Sequence, residues 1–172
     1  ALVRTAASLA GLGMAGLARA SAAQATLTLT SSAFAPGGSI PARFTCTAEN
    51  VSPPLAWTGA PDATKSFALV CADPDAPRHT WYHWAIFDLP ATTTALPADA
   101  ANSLAATQQD HHSFGTATYG GPCPPKGHGP HHYHFKLFAL DPDKLLVPAD
   151  AKVVDGENAA AKHAIAQGEI VG

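Results

Sequence analysis

Charge is the scarcest property of this chain. Only 13% of its 172 residues are Asp, Glu, Lys or Arg, and ten basic against thirteen acidic side chains leave a net charge of −3. Binding a nucleic-acid backbone needs clustered Lys and Arg, so a nucleic-acid partner is excluded on this ground. Cysteine is also sparse: Cys46, Cys71 and Cys123, with no Cys-x-x-Cys. Zinc-ribbon and thioredoxin-like readings therefore lack support, and three single pairings stay open, each leaving one thiol over. The Gly-x-Ser-x-Gly elbow of hydrolases and the His-Glu-x-x-His helix of zinc proteases are both missing. No apolar run reaches the roughly 20 residues that cross a bilayer. No repeat or linker divides the chain, and its length suits one domain with a core that needs no staples.

What is present is uneven. Residues 1–23 differ from the rest: Arg4, then a short run rich in Ala, Leu and Gly, then Ala18-Arg19-Ala20-Ser21-Ala22-Ala23. A basic start, a short apolar middle and an Ala-x-Ala-like end read as a secretory signal, so a periplasmic or secreted protein with its domain at 24–172 is expected. An Ala-rich helix packed on the domain is the alternative. Beyond it, Thr26-Leu27-Thr28-Leu29-Thr30 alternates as a half-buried strand does. Pro36-Gly37-Gly38 is a turn signal, and short apolar runs follow at Ser66–Ala72 and Trp81–Leu89. In 132–140, Tyr133, Phe135, Leu137 and Ala139 share one face. Many short strands between Pro/Gly turns predict an antiparallel sandwich. One helix is predicted near the end, with Asp155 as N-cap, Ala159–Gln167 as body and Gly168 as stop.

Two runs carry the chemistry. Asp73-Pro74-Asp75-Ala76-Pro77 is a stiff acidic turn followed closely by His83-Trp84. Some forty residues on comes Gly120-Gly121-Pro122-Cys123-Pro124-Pro125-Lys126-Gly127-His128-Gly129-Pro130-His131-His132-Tyr133. By strand parity, His131 shares a face with Tyr133, and His83 shares one with Trp81, Ala85 and Phe87. Read singly, Asp-Pro-Asp is a capped turn and His83 a satisfied core histidine. Read together, a carboxylate, two histidines and a phenol beside rigid backbone suit holding a small anion better than breaking a bond. A carboxylate beside a histidine favours imidazolium, and imidazolium, phenol and the N–H groups of Gly120 and Gly121 would all donate to phosphate. Asp73 would orient His83 or accept from a ligand ammonium or hydroxyl.

These runs resemble the D-P-D-A-P and G-x-P-P-x-G-x-x-H-R-Y elements of the phosphatidylethanolamine-binding protein family, which includes the Raf kinase inhibitor protein. Gly-Pro-Cys-Pro-Pro and Gly-His-Gly-Pro-His look most like its bacterial branch. The resemblance runs from Phe44-Thr45-Cys46 through Ser52-Pro53-Pro54-Leu55-Ala56-Trp57 to the final helix. It implies an antiparallel Greek-key β-sandwich, mostly β, with a large sheet on a smaller one and a few peripheral helices. It also implies a pocket for a phosphorylated small molecule or phospholipid head group, lined by Asp73, His83, Gly121, Pro122, His131 and Tyr133. Asp75 and Trp84 are candidate rim residues, and Ala76–Pro77 a candidate cis peptide. Cys46 and Cys123 both lie in family-like loops, whereas Cys71 sits in a strand pattern, so Cys46–Cys123 is the favoured disulfide. The chain departs from the family at His132, where Arg is usual; an outer-face salt bridge is put in doubt.

No enzyme, cofactor or stable membrane anchor is expected, since neither run carries a serine or other evident nucleophile. The resemblance leaves room for a protein partner, a kinase or protease inhibited by contact, and bacterial relatives suggest a homodimer. A third reading, a metal-dependent hydrolase, rests on the density of His111, His112, His128, His131, His132 and His134.

Overall fold

The computed structural model describes residues 25–104, 113, 115, 117–148 and 151–172. The expected signal segment, His111 and His112 lie outside them. Among the described residues there are eight strands: β1 (Ala25–Thr26), β2 (Thr28–Thr30), β3 (Leu55–Thr58), β4 (Ser66–Asp73), β5 (Trp81–Pro90), β6 (Ala95–Leu96), β7 (His134–Leu140) and β8 (Ala164–Val171). Two helices, α1 (Ala100–Ser103) and α2 (Val153–His163), and a 3₁₀ turn at Ala42–Phe44 complete the described elements. The strands form a five-stranded sheet, β1-β8-β7-β4-β5, and a three-stranded one, β2-β3-β6. After β5 the chain enters the small sheet as β6 and returns to pair β7 with β4 rather than β5.

The expected two-sheet β architecture holds, with two refinements. The alternating run at 26–30 is not one strand. Its first part pairs parallel to β8 (Ala25 with Ala166) and its second antiparallel to β3 (Leu29 with Trp57), with Leu27 at the crossing. The other neighbours in both sheets are antiparallel.

The main core fills the space between the sheets. Leu27, Leu29, Leu55, Trp57 and Leu96 meet Phe67, Leu69, Cys71, Trp84, Ile86, Phe135 and Leu137 there. Each buried side chain of this size contributes roughly 1.5–3 kcal/mol. An exposed pair such as Arg43–Glu49 adds about 0–1 kcal/mol, so apolar burial dominates. On the far face of the large sheet, α2 packs Val153 against Val70 and Ala85, and Ala160 against Ala68, Phe138 and Leu140. Strand β4 is therefore buried along its whole length.

The helix starts earlier and stops sooner than the sequence pattern suggests. Asp155 is not the N-cap: it sits in the first turn, and its Oδ2 accepts the Lys152 backbone N–H at 3.0 Å. The helix ends at His163, and Ala164–Gln167 pairs with β7 instead. Local helix preference in that stretch is a few tenths of a kcal/mol per residue, and burying Ala166 and Ile170 in the main core overrides it. Gly168 is thus a mid-strand residue. A Cβ there would meet the Leu27 carbonyl oxygen and Cβ well inside van der Waals contact.

Gly168→Ala is expected to lower stability by about 1–3 kcal/mol, because the opposing atoms are mostly backbone. A urea midpoint that falls at unchanged m-value would show it; an unchanged midpoint would mean that β1 is not pressed on β8.

Candidate functional site

At one end of the large sheet, the last residue of β4, the first residues of β5 and the segment before β7 converge on a cleft of about 460 Å3. Asp73, His83 and His131 line it. Trp81 and His79 stand on one side with rings 6.0 Å apart, and Ala76, Pro77, Cys123 and Pro125 contribute apolar surface.

The acidic turn forms because the Asp73 carboxylate bends the chain onto itself. Its Oδ1 accepts the Asp75 N–H at 2.9 Å, an Asx turn. Its Oδ2 accepts from Nδ1 of His131 at 2.7 Å, with the two side chains 3% and 5% exposed. Asp73 therefore orients His131 and not His83, contrary to the sequence expectation. No described peptide bond is cis, Ala76–Pro77 included; an X-Pro bond favours trans by about 0.5–1 kcal/mol, and the carboxylate supplies the bend.

His83 is placed by a bulge. Cys71 pairs with Trp84 and Ala72 with Tyr82, so His83 has no opposite residue. Simple parity, which puts it with Ala85 and Phe87, fails here. Those two pack toward α2, whereas the His83 ring meets Tyr133 edge-on at 5.1 Å. Its Nδ1 lies 2.6 Å from the Gly120 carbonyl oxygen and so carries the ring proton. Burial holds the His83 pKa below its ordinary value, against the opposing pull of the Gly120 carbonyl and of Asp73. The expected imidazolium is therefore not formed at this position near neutrality.

The glycine-rich wall also differs from expectation. The Gly120 N–H donates to the His83 carbonyl at 2.9 Å, and the Gly121 N–H to Oδ1 of Asn50 at 2.8 Å. Both N–H groups are used within the protein rather than offered to an anion. Gly121 is required because a Cβ would drive into the Phe44 carbonyl. Tyr119 Oη donates to that same carbonyl, and Cys46 N–H to Pro122 O. Cys46 and Cys123 form a disulfide with Cα atoms 5.5 Å apart, and Cys71 is a buried free thiol. The loop at 119–123 is thus sewn to the one at 44–50.

Of the sequence-derived candidates, the fold brings Asp73, His83 and His131 together in the cleft. Tyr133 does not line it: it is buried against the His83 ring and lines the neighbouring groove, its Oη has no hydrogen-bond partner, and burial and the Asp73 charge raise its pKa so that it stays a neutral phenol. Pro122 faces that 350 Å3 groove, which shares His131. Trp84 is no rim residue: it is a core side chain, edge-on to Tyr119. Asp75 stands outside the cleft, its Oδ2 taking both the N–H and the Nδ1 of His132 at 2.9 and 2.7 Å. The hydrogen bond from the His132 side chain, then its backbone, holds the Asp75 carboxyl below its ordinary pKa. The outer face thus carries a hydrogen-bonded Asp75–His132 contact, with histidine where the family usually has arginine.

Among the described residues, no group of three or more His, Cys, Asp or Glu could hold a metal ion. His132 and His134 each engage a carboxylate, Asp75 and Glu169. Arg78 and His79 line the cleft without having been singled out; only their nearness to the acidic turn could have flagged them.

Fold and site define a two-sheet β protein with a small cleft at strand ends, walled by one proline turn and one disulfide-bound loop. The chain belongs to the phosphatidylethanolamine-binding protein family, whose signature matches residues 30–172. It is 42% identical over 149 residues to a UPF0098 protein of Methanothermobacter thermautotrophicus, covering 85% of this chain and 97% of that one. It is 38% identical over 150 residues to a Mycobacterium tuberculosis protein provisionally named lipoprotein LppC, covering 85% and 71%. The crystal structure of Escherichia coli YbcL, described as a member of the mammalian family, superposes with a TM-score of 0.76 at 36% identity, covering 87% of this chain and 96% of that one. The Chlamydia trachomatis homologue CT736 gives 0.71 at 30%, covering 86% and 95%.

Two outcomes follow. A histidine with a depressed folded pKa resists protonation while the unfolded chain accepts it, so His83 contributes stability that is present above about pH 6.5 and lost as pH falls toward the folded value. In that window wild type should lose up to about 1.4 kcal/mol per pH unit more than His83→Asn, read from urea midpoints; parallel profiles would refute it. The disulfide closes a separation of 77 residues. Reductant should therefore lower stability by about 2–4 kcal/mol, with no reductant effect on the Cys46→Ser/Cys123→Ser double variant.

Proposed function

We propose that the cleft binds a phosphorylated small molecule or phospholipid head group, and that the protein acts by binding rather than by chemistry. The observation that carries this reading is the buried Asp73–His131 pair at the cleft wall. Asp73 fixes the imidazole through Nδ1, and in its protonated form the ring donates through Nε2 to a phosphate oxygen while the carboxylate balances its charge. Pro77, Pro125 and the Cys46–Cys123 bond hold the walls still, so little ordering entropy is lost on binding. Tyr133 Oη, buried without a partner, is a further donor on the ring that packs against His83. The described side chains lining the cleft include no serine, and Cys123 is disulfide-bonded, so neither a hydroxyl nor a free thiol of the hydrolase kind lines it, which supports a non-enzymatic role.

An exported location is supported by the disulfide, which persists in oxidising compartments. The lipoprotein name of the Mycobacterium relative points the same way.

Calorimetric titration with inorganic phosphate, phosphoethanolamine and a mononucleotide tests the reading. Saturable heat is expected for at least one, weakened at least about tenfold in His131→Ala and Asp73→Ala by loss of a charged hydrogen bond. Silence from all three in wild type would sink it. Inhibition of a kinase or protease that survives Asp73→Ala would favour the partner reading instead.

A further inference from the structure

We infer that Arg78 is the charge-bearing contact of the cleft and that it selects a water-borne phosphomonoester dianion over the phosphodiester of an intact lipid. This rests on the phosphate-binding reading above and adds the class of ligand.

The argument is one of charge. Inside the cleft Asp73 and His131 share a hydrogen bond, so the pair carries no net positive charge. His83 gives its Nδ1 proton to the Gly120 carbonyl and is neutral. The N–H groups of Gly120 and Gly121 are already used. A phosphate dianion brought among these groups meets donors but no uncompensated cation. Arg78 is the only Arg or Lys among the described residues that line the cleft. Among those residues the salt bridges of Arg and Lys involve Arg43 and Lys136, and none engages Arg78. Its guanidinium fork matches two phosphate oxygens at once. The backbone that carries it follows Pro77 and the Asx turn closed by Asp73, so its point of origin is set even though the side chain is exposed.

One arginine distinguishes ligands by their charge. Above about pH 6 a monoester is close to a dianion, whereas a diester holds a single charge. The Coulomb attraction to Arg78 scales with that difference.

The test compares phosphoethanolamine with glycerophosphoethanolamine, which offer the same amine on a monoester and a diester. The full chain is titrated at about pH 8, where the monoester is fully charged, as wild type, Arg78→Ala and Arg78→Lys. A co-sedimentation arm uses phosphatidylethanolamine–phosphatidylcholine vesicles. Expected are a monoester preference of about tenfold in wild type, its loss in Arg78→Ala through weaker monoester binding, and partial recovery in Arg78→Lys. Wild type should not sediment with vesicles. Monoester affinity unchanged in Arg78→Ala, equal weakening of both ligands, or wild type bound to vesicles would each overturn the inference. Wild type silent toward both soluble compounds would defeat the phosphate-binding reading itself, a separate result.

Discussion

A carboxylate that ends a strand buried on both faces has to find proton donors. Strand β4 lies between β5 and β7, covered by the small sheet on one side and α2 on the other, and Asp73 is its last residue. Leaving that group unpaired would be strongly destabilising, about 3–5 kcal/mol for a broken buried ion pair. Asp73 meets the demand with two donors from different parts of the chain, the Asp75 N–H and His131 Nδ1. The first folds the proline turn. The second anchors the segment leading into β7, 58 residues away. Both walls of the cleft are thus tied to one side chain.

The remaining geometry fits around that anchor. The bulge at His83 releases one residue of β5 from the pleat, which lets its ring leave the α2 face and meet Tyr133 and the Gly120 carbonyl. The Gly120–Cys123 segment is held by backbone hydrogen bonds, an Asn50 side chain and a disulfide. Rigid walls and pre-set donors suit recognition of a small polar group. In this member of the phosphatidylethanolamine-binding protein family, Asp73 and His131 are hydrogen-bonded to each other inside the cleft, and the proposed charge recognition rests on Arg78.

Much of this was legible in the residues. The two-sheet architecture followed from short apolar runs between Pro/Gly turns, and the inward face of β7 from simple alternation at Tyr133, Phe135 and Leu137. The grouping of Asp73, His83 and His131 came with the two motifs and their family resemblance. Alternation worked along β7 because its ladders with β4 stay in step across the face. It failed at His83, where one extra residue shifts the alternation, which shifts again between Ile86 and Leu89.

What the sequence determined by itself is the set of local rules: which stretches extend, which turn, and which residue types could meet an anion. Those depend on alternation, on proline's fixed φ and on side-chain chemistry, all properties of near neighbours. Tertiary structure alone decided which partner each group took. Asp73 chose His131 over His83, the glycine N–H groups were spent on Asn50 and His83, and Ala164–Gln167 became strand rather than helix. Each of those choices turns on contacts between residues far apart in the chain, where burial and hydrogen-bond satisfaction outweigh local preference by several-fold.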